Sequence, residues 1–307
     1  MYRSLLFNPA LMLVPNLCAL RNRLTVTVFK KVVVLVLIFA PFAGFSQQYW
    51  QVGGFLGASN YSGDLAEKRV DFRYTRYSIG VFAKRDFNRY FSLRAGFTYG
   101  RIAGADSTNK RAELVARNLS FRSPIIEGSL IGEFNFLDID EKRFTPYVFG
   151  GIAVFSFYPT ARDANGNVVK LRALTTEGQG LPMYPDRKKY NLRSIAIPFG
   201  AGAKFLLTDS WVLGFEIGIR RTFSDYLDDV SMGYVDRNTL LQYRGQKSVD
   251  YAYRGKGTYP IDGFPRGSQK YDDWYIFSGF TLGYRFGGTK GPWGHWGKQK
   301  FSDCPRM

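Results

Sequence analysis

Trp274-Tyr275-Ile276-Phe277-Ser278-Gly279-Phe280-Thr281-Leu282-Gly283-Tyr284-Arg285-Phe286 decides the fold. Side chains alternate sides along an extended chain, so Trp274, Ile276, Ser278, Phe280, Leu282, Tyr284 and Phe286 share one face. Tyr275, Phe277, Gly279, Thr281, Gly283 and Arg285 share the other. The first row suits lipid, and the second suits a packed, polar interior. This inside-out, period-two pattern is the signature of a membrane-spanning strand in a β-barrel.

Upstream segments repeat it. Trp211, Leu213, Phe215, Ile217 and Ile219 alternate with Val212, Gly214, Glu216, Gly218 and Arg220. Ile195, Ile197, Phe199, Ala201, Ala203, Phe205 and Leu207 alternate with Ser194, Ala196, Pro198, Gly200, Gly202 and Lys204. Pro198 cannot donate to a ladder, which predicts a bulge or local distortion there. Ile126, Leu130, Phe134 and Phe136 oppose Glu127, Ser129, Glu133 and Asn135; Phe91, Leu93, Ala95, Phe97 and Tyr99 oppose Ser92, Arg94, Gly96, Thr98 and Gly100. Tyr77, Ile79, Val81 and Ala83 against Ser78, Gly80, Phe82 and Lys84 form a sixth segment. Tyr49–Ser59 and Tyr147–Phe157 are apolar on both sides and read as strands without an assigned face.

The expectation is therefore an all-β chain: a single transmembrane antiparallel β-barrel of about eight strands with a polar, packed interior. Connections support it. Asp86–Tyr90, Leu137–Arg143 and Thr208–Ser210 are short, whereas Tyr61–Thr75, Ala103–Arg122, Pro159–Tyr190 and Phe223–Asp273 are long. Short periplasmic turns and long external loops are the rule for outer-membrane barrels. A soluble sandwich would instead turn a polar face outward. Ten strands remain an alternative if the last connection hides a hairpin around Leu240–Tyr253, and Asn165-Gly166 reads as a tight turn in the third long loop.

Residues 1–46 read as a secretory leader. Lys30 and Lys31 precede an apolar run from Val32 to Ala40 and a small-residue zone ending at Ser46, so residues 30–46 hold the signal peptide core. That run is too short to span a bilayer. Residues 1–29 are excessive for a leader's basic start and suggest a start codon placed too far upstream. The barrel is expected over 47–287, with both chain ends in the periplasm. Residues 288–307 form a basic tail that holds His295, the chain's one histidine.

Composition limits the function. Tyr, Phe and Gly number 20, 27 and 33, a bias suited to pleated surfaces and turns. Without the leader, 37 basic residues face 25 acidic ones, still a basic chain. The basic residues are scattered among acidic ones rather than gathered into a stripe, and no nucleic acid is expected as partner. Cys18 falls in the leader, so Cys304 is left alone and no disulfide framework follows. One histidine and one thiol exclude a zinc site. No histidine falls among the strands to manage protons near neutral pH, so neither an enzyme nor a cofactor is expected.

Lys84, Arg94, Glu127, Glu133, Lys204, Glu216 and Arg220 all fall on the face assigned to the lumen. Buried charges must pair, which predicts a structural network closing the lumen rather than an ion path. Asp225, Asp228 and Asp229 lack the spacing of a calcium loop. Ser224-Asp225 reads as the cap of a short helical turn.

Gly214-Phe215-Glu216-Ile217-Gly218-Ile219-Arg220-Arg221 followed by Phe223-Ser224-Asp225-Tyr226-Leu227-Asp228-Asp229-Val230-Ser231 resembles the PorG-like family of small outer-membrane barrels. Thr145–Ala153 and Ile197–Gly202 are similar too, and the terminal aromatic Phe286 resembles a barrel assembly signal. The resemblance implies an outer-membrane, lipid-embedded subunit of the type IX secretion system. Its implied partners are the periplasmic ring proteins of that machine. A surface adhesin or receptor acting through the long loops, and a small channel, are the rival expectations.

Overall fold

The computed structural model describes residues 49–66, 71–268 and 272–287. The expected leader and basic tail, with His295 and both cysteines, lie outside the described residues. The long strands are β1 (Tyr49–Ser62), β2 (Arg76–Asp86), β3 (Phe91–Ala105), β4 (Ser120–Asn135) and β5 (Phe144–Phe157). A short hairpin follows, β6 (Thr160–Arg162) and β7 (Val168–Lys170), and then β8 (Arg193–Leu206), β9 (Trp211–Thr222) and β10 (Trp274–Phe286). Every long strand pairs antiparallel with its neighbour in sequence, save that β5 pairs with β8 past the hairpin. β10 pairs with β1 from Trp50↔Phe286 to Ser62↔Trp274. The result is a closed eight-stranded antiparallel barrel with no free edge, of the outer-membrane type.

The seam shows why glycine recurs on the lumen face. Gly53 pairs with Gly283 and Gly57 with Gly279. A side chain at either β1 position would strike the facing backbone and the rings of Phe82 or Phe55. The two unassigned strands acquire faces: Gln51, Phe55 and Ser59 are buried while Trp50, Val52 and Leu56 are exposed, and Tyr147, Phe149 and Phe155 are buried while Val148, Ile152 and Val154 are exposed. Pro198 introduces no extra residue. Pairing with β5 lapses between Gly150↔Phe199 and Ala153↔Ala196 with the register unchanged, and Pro198 stays opposite Arg220 on β9. A missing N–H thus costs local ladder bonds and nothing more.

The outer wall is apolar, and most of its large side chains are exposed, from 39% at Phe199 to 67% at Leu56. A continuous band of this kind has no place in water and matches the hydrocarbon layer of a bilayer. Strands run from 11 residues in β2 to 16 in β4, beyond the roughly ten that a tilted strand needs to cross. The surplus lies at the end carrying the long connections, called here the loop end. Among the described residues no helix is long and apolar enough to cross a membrane.

Candidate functional site

The lumen is filled by side chains from every wall. Glu133 of β4 sits at the centre of one network, 3.0 Å from Arg94 Nε, 3.5 Å from Lys84 Nζ and 2.5 Å from Lys204 Nζ. Arg94 also donates through Nη1 to Glu216 Oε2 at 2.8 Å, and Tyr147 donates to the same oxygen at 2.6 Å. Toward the loop end Arg220 Nε donates to Glu127 at 3.2 Å, and Tyr275 donates to the same oxygen at 2.7 Å. Arg220 lies 4.6 Å from the centre of the Phe277 ring. The seven lumen charges expected from the sequence therefore meet in these two networks. Asp86 stands 3.8 Å from Lys84 Nζ and 3.9 Å from Arg285 Nε, joining the short-turn rim to this network. The void beside Arg94 and Glu216 and that beside Lys84 and Lys204 each measure about 20 Å³, room for about one water.

The loop end is closed by a packed cap. One apolar cluster runs from Phe55, Phe155 and Phe277 in the strands to Leu171, Leu227 and Tyr251 of the connections. Helices Arg237–Arg244 and Gln246–Ala252 occupy the last connection and bury Leu240 and Val249 with Val235. The hairpin considered around Leu240–Tyr253 is thus helical. Asp236 accepts from Thr239 N as an N-cap, and Leu240 is the buried residue of the helix that follows. The extra hairpin is β6–β7 instead, turning at Asn165-Gly166 with Gly166 at φ 85°.

The Asp225–Asp229 stretch corrects another expectation. It forms an irregular turn with no helix behind Asp225, and the carboxylates of Asp228 and Asp229 are engaged far along the chain. Asp229 accepts from Thr176 Oγ1 at 2.8 Å and Tyr190 Oη at 2.7 Å. Asp228 Oδ2 lies 2.7 Å from Tyr61 Oη, and Asp273 Oδ1 lies 2.9 Å from it. One phenol carries one proton, so this contact is satisfied when one of the two carboxyls is a neutral acid donating to the tyrosine oxygen. Leu227 is fully buried, and Tyr226 stacks on Tyr190 at 4.5 Å.

Electrostatics agree with that reading. Burial first, then the charge of Asp64, pushes Asp228 well above the usual carboxylate range. Burial and Asp228 do the same to Asp273. Burial pushes Asp229 up to about 6 against the pull of Arg266, and Asp225 up to about 8. Arg266 ties the cap together through Glu177 at 2.9 Å, Asp229 O at 2.6 Å and Ala252 O at 3.2 Å. Arg117 links Asp106 to the Arg266 carbonyl.

Sequence reasoning missed Tyr147, because its strand had no assigned face, and Glu177, Arg266 and Tyr61, whose partners lie in other loops. Tyr275 and Arg285 were on the correct face of β10; Arg285 binds Asp140 at 2.8 Å across the short-turn end. Among the described residues no cluster of acidic, histidine or cysteine side chains fits a metal.

A family model described as a domain of unknown function, DUF6089, matches residues 30–259. The chain belongs to the DUF6089 family. The DUF6089 match spans β1 to β9 and both cap helices, leaving β10 beyond it. No curated protein matches the sequence. Among solved structures, the chain is similar to the attachment invasion locus protein Ail of Yersinia pestis, at 9% identity and TM-score 0.36, over 79% of this chain and 100% of that one. A major outer membrane protein of Thermus thermophilus gives 13% and 0.38 over 78% and 99%. OprG of Pseudomonas aeruginosa gives 8% and 0.37 over 78% and 96%.

Proposed function

We propose that this DUF6089 chain is a non-enzymatic outer-membrane barrel that serves as an anchoring subunit of the type IX protein secretion machinery. Its chain ends and short turns face the periplasm and its cap faces outward. The observation that carries the non-enzymatic, non-conducting part is the filled lumen, in which Glu133 alone holds three cations and leaves neither a channel nor a cleft. The export role is supported by the resemblance of Gly214–Ser231 to the PorG-like family, and its partners are the periplasmic ring proteins of that machine.

Affinity purification of the full chain from membranes is expected to recover those ring proteins, and a deletion strain is expected to lose export. Normal export in that strain refutes the role. A second reading, a surface receptor, is favoured by the order of the cap, whose connections are packed rather than loose. Replacing residues 237–262 by a short linker abolishes function under that reading and spares export under the first.

A further inference from the structure

Outside the barrel wall, at the loop end, lies a groove of about 750 Å³ between the outward faces of β2, β3 and β4 and the β6–β7 hairpin. Arg76, Arg101, Arg122 and Arg162 line it, and no carboxylate does. Arg122 faces the charges of Arg76 and Arg162 rather than any acid. Arg101 donates through Nε to Tyr99 Oη at 2.8 Å and lies 5.4 Å from the Tyr77 ring centre, neutral neighbours that leave its charge uncompensated. Arginines 101, 122 and 162 are exposed. Four like charges in one groove repel one another and cost stability unless an anion compensates them.

Their height on the wall identifies the anion. On β2 the outward row runs Val81, Ile79, Tyr77; on β3 it runs Phe97, Tyr99, Arg101; on β4 it runs Leu130, Ile126, Pro124, Arg122. Register places Tyr99 opposite Ile126 and Arg101 opposite Pro124. The β3 and β4 rows thus pass from apolar residues to an interfacial tyrosine or proline and then to arginine, and the β2 row ends at Tyr77, the order met on crossing from hydrocarbon to headgroups. Guanidinium forks match phosphate oxygens in pairs.

We propose that this groove binds the phosphate groups of an anionic lipid headgroup in the leaflet at the loop end. The proposal rests on the lipid-facing reading of the wall. Two probes separate lipid from free anion: bisphosphorylated lipid A, with its dephosphorylated form as control, and inorganic phosphate. Native mass spectrometry of the detergent-solubilised full chain should show bound bisphosphorylated lipid and little of the dephosphorylated form, with inorganic phosphate failing to displace it. Binding should weaken about fivefold for each arginine removed across Arg101→Gln, Arg122→Gln and Arg162→Gln. Arg221→Gln, an exposed outward arginine of β9 outside the groove, should leave binding unchanged.

All these side chains are exposed, and a gel-mobility assay for the folded barrel checks each variant. Equal binding of the two lipids, equal binding by the triple variant, or full displacement by inorganic phosphate would overturn the proposal. A chain that fails to float with phosphatidylcholine vesicles would overturn the membrane reading itself; one that floats yet ignores the lipid phosphates overturns only the groove.

Discussion

Glu133→Gln should be the most damaging conservative change in the barrel. The carboxylate is 1% exposed and is the shared partner of Arg94, Lys84 and Lys204, all themselves buried. Glutamine keeps the shape and can still accept hydrogen bonds, so the change removes charge with little cavity. What remains is Arg94, Lys84, Lys204 and Arg220 against Glu216, Glu127 and the rim carboxylate Asp86, which Arg285 shares. Removing one partner of a buried pair costs about 3–5 kcal/mol, since the orphaned charge keeps its desolvation cost. At a urea slope of about 2 kcal/mol per molar, the unfolding midpoint falls by about 2 M. Urea titration of the refolded barrel in detergent, read by the gel mobility of folded against unfolded chain, measures it. The double variant Glu133→Gln with Lys204→Met should recover much of the loss, because it removes the cation nearest the vacated charge. A midpoint shift under about 0.5 M, or no recovery in the double variant, refutes the pairing argument.

Phe280→Arg, at the centre of β10 on the outward face and beside Phe215 at 5.2 Å, should cost about 2–4 kcal/mol of folding into bilayers; a neutral result would mean the wall faces water. The cap should loosen as pH rises. Asp228, Asp273, Asp229 and Asp225 have folded values raised by burial, so their contribution is fully present below about pH 4, the unfolded carboxylate value, and lost as pH climbs through about 6 for Asp229 and about 8 for Asp225. Limited proteolysis of residues 223–268 should therefore be faster at pH 9 than at pH 5, with Asp228→Asn flattening the difference; pH-independent protection would contradict it. Arg266→Met should expose the cap to hydrogen exchange while leaving the barrel's urea midpoint unchanged, since its bonds to Glu177, Asp229 and Ala252 all lie among the loops.

The barrel was legible because lipid imposes a period of two that survives strand by strand, and the charges Lys84, Arg94, Glu127, Glu133, Lys204, Glu216 and Arg220, all on the face opposite the apolar row, named the lumen without any knowledge of neighbours. Tyr49–Ser59 and Tyr147–Phe157 resisted because their inward residues are themselves apolar or aromatic: Phe55, Phe149 and Phe155 pack the interior as Val52 and Ile152 face the lipid. The cap was opaque for a different reason. Asp228 meets Tyr61 across 167 residues and Arg266 meets Glu177 across 89, so a local reading saw only a helix cap in Ser224-Asp225. The helices Arg237–Arg244 and Gln246–Ala252 were hidden by a segment whose aromatic and polar residues fit a hairpin as readily.

The position of Tyr61 carries a consequence for how the molecule is made. It sits near the end of β1, opposite Tyr275 of β10, while Asp273 immediately precedes β10. Their contact spans 212 residues and can form only after the first and last strands have met. The cap is then a latch thrown by closure: an open, half-inserted sheet leaves Asp228 and Asp273 in water and ionised, and the loops stay unfastened and open to proteases. A finished barrel differs from an unfinished one at its surface as well as in its wall.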